Sequence, residues 1–82
     1  MTNEKNRYSL AEMKSGETCI LVEIAGGSGL RSKLLSMGIT EGSEVRKISG
    51  HFLGGPIIIS AGKTRLALGQ GMARKIIVEL TK

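Results

Sequence analysis

Aromatic residues are nearly missing from this 82-residue chain: Tyr8 and Phe52 are the whole set. Its core must therefore be aliphatic, and it is poorly supplied with the stacking rings on which single-stranded nucleic acid is usually bound. Cys19 is the one cysteine, which rules out an internal disulfide and a cysteine-based zinc site within the chain. One histidine, His51, and no aspartate leave little for a metal centre or a catalytic pair. No apolar run approaches the roughly 18 residues of a membrane span. Met1 to Tyr8 is polar and charged, unlike a secretory signal; with the lone thiol, this points to the cytoplasm. The length leaves no room for a dinucleotide-binding domain.

What is present is glycine, charge and short aliphatic segments. Twelve glycines punctuate the chain, and twelve Lys and Arg against seven Glu give a net charge of +5. Residues 1–8 read as a flexible tail, and residues 9–81 as one domain. Ser9 and Glu12 have capping-box spacing for one helical turn. Thr18 to Ala25 alternates: Ile20, Val22 and Ile24 share one face, Cys19, Leu21 and Glu23 the other. That predicts a strand with one buried and one mixed face. Cys19 is then a small, partly buried strand residue.

After Gly26-Gly27-Ser28, Leu30, Leu34 and Met37 recur at helical spacing, which predicts one short helix near 29–37. Leu34 and Met37 face the rest of the domain. Leu35 lies at the edge of the apolar stripe, where core and interface are both open to it. Gly38 stands where a left-handed C-terminal cap belongs, with Ile39 folding back on the last turn. Gly42 serves the next turn. Val45 to Phe52 is a strand whose phase is broken between Val45 and Ile48, so a bulge near Arg46-Lys47 is expected. Gly54 lies in a tight loop and Pro56 opens a strand. Two short strands, Ile57 to Ser60 and Thr64 to Leu68, a helical turn at Met72-Ala73 and a last strand from Ile76 complete the chain. About five strands with glycine-rich turns every eight to twelve residues predict a mostly β fold: a small, strongly bent sheet or partly open barrel.

Three segments carry a resemblance. Arg31 to Ser43 (RSKLLSMGITEGS) is similar to the central signature of the FeoA family, small accessory proteins of bacterial ferrous iron transport. Leu53-Gly54-Gly55-Pro56-Ile57 resembles the family's second signature, and Leu66 to Leu80 its closing segment. The resemblance implies an SH3-like small barrel with one inserted helix. It also implies a cytoplasmic partner: the FeoB-type membrane transporter, which carries a GTP-binding domain. Leu34, Met37, Gly38, Gly42, Gly54 and Pro56 then have structural roles.

Function classes follow from these residues. Cys19 and His51 are the weak candidates for a metal site and also the sole candidates for a nucleophile and base; a strand interior does not lower a thiol's pKa. The chain is therefore expected to be non-enzymatic and to need no cofactor, with weak binding of a divalent ion such as iron left open. Basic pairs suit an anionic partner, so a nucleic-acid-binding barrel is the alternative, and a metal-responsive module the third reading. For protein docking, Phe52 and Leu53 are anchor candidates, Leu35 an edge candidate, and Arg31 and Lys33 the charged rim. The chain would associate with a membrane only indirectly, as a monomer or weak homodimer.

Overall fold

The computed structural model describes residues 7–50 and 55–80. Six short strands form one antiparallel sheet: β1 (Arg7–Ser9), β2 (Thr18–Ile24), β3 (Glu44–Gly50), β4 (Ile57–Ala61), β5 (Thr64–Leu68) and β6 (Ile76–Leu80). Their spatial order is β1-β6-β2-β3-β4-β5, so the last strand lies between the first two. A 3-10 turn (Leu10–Glu12) follows β1, helix α1 (Ser28–Ser36) joins β2 to β3, and the one-turn helix α2 (Gln70–Ala73) precedes β6. The Glu12 carboxylate accepts from the Ser9 backbone N–H at 3.2 Å, within the predicted capping box.

Most buried hydrophobic residues are on strands, among them Leu21, Val45, Ile57, Ile59, Leu68, Ile76 and Val78. Outside the sheet, Leu10, Met13, Leu34, Ile39 and Ala73 complete the core. So few covering residues oblige the sheet to curve over its own buried face, and the principal extents of 33, 27 and 24 Å are nearly isotropic. Among the described residues the edge strands β1 and β5 do not pair, so the barrel-like sheet stays open.

The structure differs from the sequence-based expectations in three places. Arg7 and Tyr8, read as tail, belong to β1 and pair with Glu79 and Val78 of β6. The sheet thus has six strands, since a three-residue strand carries too little periodicity to read. In β2 the buried residues are Cys19 and Leu21, not Ile20 and Val22. A bulge between Leu21 and Glu23, opposite β6, then switches the phase so that Ile24 is buried. In β3 the bulge lies one residue later than expected, between Lys47 and Ser49. Val45 and Lys47 therefore share the inward face and Ile48 is exposed.

Helix α1 was expected near 29–37 and runs Ser28–Ser36, with Gly27 at its N-cap. Only Leu34 is fully buried on it; Leu30 and Met37 pack partly against the core. Leu35, which the sequence left open to core or interface, is 59% exposed.

Candidate functional site

The C-terminal end of α1 is fixed by hydrogen bonds that place its outward face. The Gly38 N–H donates to Leu35 O and the Ile39 N–H to Leu34 O, both at 2.9 Å. This pair of bonds is a Schellman cap, and it needs a left-handed residue: Gly38 has φ +81°. Ile39 turns back into the core and is buried. The next turn is closed by Ser43 N–H to Thr40 O at 2.9 Å, and Gly42 (φ +94°) donates to Leu21 O at 2.7 Å. Gly38 thus ends the helix, and Gly42 lies in the turn after it.

On the outward face, Leu35 projects into solvent and Lys33 is exposed. Arg31 is not a free rim residue. Its guanidinium grips Glu41 through two bonds, Nη2 to Oε2 at 2.6 Å and Nη1 to Oε1 at 3.2 Å. The helix is thereby tied to the turn that follows it. The Glu41 backbone N–H, then the Thr40 hydroxyl and Arg31, hold this carboxyl below the usual carboxylate range. The result is an aliphatic side chain on a helix pinned at its end, with an ion pair beside it. Ile48 (37% exposed) and Met72 (42% exposed) are further exposed hydrophobics that the sequence reading passed over. The bulge that turns Ile48 outward leaves no mark in a single sequence.

A second feature was not predicted. Lys47 is 7% exposed and is the one buried charged residue among those described. Its Nζ donates to Met13 O at 2.6 Å. The side chain runs close over Gly50: a Cβ there would stand 2.7 Å from Lys47 Cε. Lys47 and Gly50 line a cavity of about 370 Å³ with Ala11, Met13, Lys14, Ser15 and Gln70. The Gln70 amide is anchored to Gly55 O at 3.0 Å. Strand parity with Val45 was the available signal for Lys47, and the apolar Ile48 beside it drew the reading the other way.

Cys19 is fully buried rather than partly so. The Tyr8 hydroxyl lies 3.8 Å from its Sγ and donates to Glu17 Oε1 at 3.3 Å. Burial pushes the thiol pKa up, with Glu17 adding to the rise and Tyr8 partly opposing it. Burial, then Cys19, raises that of Tyr8. A protonated thiol sealed inside the core suits neither a metal ion nor a nucleophile. Among the described residues no three His, Cys or Glu side chains come together to hold an ion. Tyr8 is half-buried, so its ring is not a free stacking platform. His51, Phe52, Leu53 and Gly54 lie outside the described residues. Pro56 immediately precedes β4.

Comparison with known proteins bears on all of this. A family model described as the FeoA domain matches residues 8–80. A protein of Methanocaldococcus jannaschii, "Putative Fe(2+) transport protein A", is 43% identical over 72 residues, covering 88% of this chain and 85% of its own. A crystal structure of an iron uptake regulatory protein, FeoA, superposes with a TM-score of 0.83 at 41% identity, covering 92% of this chain and 99% of that one. A zinc complex of Stenotrophomonas maltophilia FeoA, described as a prokaryotic SH3-domain protein, has a TM-score of 0.75 at 24% identity, covering 87% and 88%. At that identity it speaks for the fold alone, and the fold is SH3-like.

Proposed function

This chain belongs to the FeoA family, whose members are associated with ferrous iron transport, and on that premise we propose that it is a non-enzymatic accessory of ferrous iron uptake that docks onto the cytoplasmic region of a FeoB-type transporter. The observation that carries the docking is Leu35. It is 59% exposed on α1, while Leu34 beside it is completely buried. An aliphatic anchor on a capped helix, rimmed by Lys33 and the Arg31–Glu41 pair, has the anatomy of a small protein interface. The net charge of +5 favours an acidic partner surface. Among the described residues no helix is long and apolar enough to cross a membrane. Docking biases the transporter only if its conformations bind this chain unequally.

The test is an NMR titration of the labelled chain with the cytoplasmic region of the ferrous iron transporter of the same organism. Saturable shifts centred on residues 31–38 are expected. Leu35→Ser should weaken them at least about tenfold, the equivalent of ~1.4 kcal/mol. A spectrum unmoved by the partner, with both proteins folded, refutes the docking.

A further inference from the structure

The cavity walled by Lys47 is separate from the Leu35 face and carries an inference that does not depend on the transporter. We propose that it is a binding site for a carboxylate, whose charge partner is the Lys47 ammonium. Burying a charge is costly unless it is paired and hydrogen-bonded. Lysine normally avoids that cost by extending its stem and leaving its head in water. Lys47 does not: it is over nine-tenths buried, and its head is held on Met13 O at 2.6 Å. An ammonium has three donors, and Met13 O takes one. Among the described residues no carboxylate lies within ion-pair distance of it.

The surroundings are arranged around this head. Gly50 supplies the space: a methyl there would press within 3.1 Å of Nζ and 2.7 Å of Cε. Gln70, held at Gly55 O, and Ser15 bring polar groups to the same cavity, and Ala11 and Met13 add apolar surface. A few placed polar groups in a partly apolar cavity of about 370 Å³ are the ordinary makings of a small-ligand site. The charge selects the ligand. Among the described residues two lysines, Lys14 and Lys47, line the cavity and no acidic residue does, which disfavours a metal cation. Lys14 is exposed and screened by water, which leaves the single buried charge of Lys47 to be balanced by one negative charge. A carboxylate provides that, whereas a doubly charged phosphate leaves an excess of one negative charge beside the buried head. The carboxylate is either an acidic side chain of a polypeptide or a free small acid.

The probes are sodium acetate and a capped tripeptide, acetyl-Leu-Glu-Leu-amide, titrated into the full-length labelled chain at constant ionic strength with chloride as the control. Saturable shifts of the Ala11, Ser15, Gly50 and Gln70 amides and of the Lys47 side-chain signals are expected with acetate and not with chloride. Tripeptide binding at least about tenfold tighter than acetate assigns the site to a polypeptide, and equal binding to a small acid. Lys47→Met should weaken binding at least about tenfold, as loss of a charge-assisted bond does. Gly50→Ala, which displaces the lysine head without removing it, should weaken it as well, and it decides the matter if Lys47→Met fails to fold. The proposal is overturned by shifts that chloride reproduces, by binding that survives Gly50→Ala and Lys47→Met, or by phosphate competing better than acetate.

Discussion

Replacing Gly38 by alanine should destabilise the protein by about 1–2 kcal/mol, the cost of holding an L-residue in the left-handed conformation. The structure isolates the cause. Gly38 has φ +81°, yet a Cβ built there meets no atom within 4 Å. No clash contributes, so the loss is one of backbone conformation. Gly38→Val should cost more, because branching at Cβ worsens the same strain; Gly38→Asn should cost less, since asparagine visits this region more readily. Gly29, inside α1, gives the opposite sign. A Cβ there also meets nothing within 4 Å, and its φ is not positive. Gly29→Ala should therefore stabilise by up to about 1 kcal/mol, through the lower entropy of the unfolded chain. A domain of this size shifts its Tm by roughly 4–8 °C per kcal/mol. Thermal unfolding followed by circular dichroism then reads a fall of roughly 4–16 °C for Gly38→Ala and a rise for Gly29→Ala. The reasoning is refuted if the two alanines move Tm in the same direction, or if asparagine is no better than valine at position 38.

Neighbouring leucines should behave oppositely. Leu34→Ala, which empties a fully buried position, should cost about 3–5 kcal/mol in urea unfolding, and Leu35→Ala should stay within about 0.5 kcal/mol. Equal losses would show that the apolar stripe of α1 is misassigned. A third outcome concerns alkaline pH. Burial raises the Cys19 pKa, so between about pH 8.5 and the higher folded value the unfolded chain loses a proton that the folded chain keeps. Stability is then full below about pH 8.5 and falls as pH rises. The urea midpoint should decline from pH 8 to 9.5, with a shallower decline in Cys19→Ala; identical slopes would remove the thiol as the cause.

The parts of the fold that could be read from the sequence are those with local causes. The end of α1 was legible because a left-handed cap requires glycine at one position and an aliphatic residue at the next, and Gly38-Ile39 supplies both. The β4–β5 hairpin was legible for a similar reason, with Gly62 at φ +63° in its two-residue turn. What escaped depends on partners. The buried face of β2 reverses at a bulge whose place is set by pairing with β6, and β6 is more than fifty residues further along the chain. Arg7 and Tyr8 become a strand only because β6 is there to pair with them. At the candidate site, Leu35 was singled out by its position on the edge of the stripe, but Lys47 was not. Hydrophobicity ranks Ile48 above it for the core, and only the strand register shows that Ile48 is turned away.

The order β1-β6-β2 also sets a schedule for folding. β1 and β2 leave the ribosome well before β6, yet both pair with it, and β2 has only β3 on its other side. Until Ile76–Leu80 emerges, β2 presents an unpaired edge, and β1 has nothing to join. The nascent chain can close the β3-β4-β5 meander by local contacts, then must wait for one late strand to enter a slot between two early ones. Such a strand acts as a keystone, and the interval before it arrives is when an open edge is available to other chains.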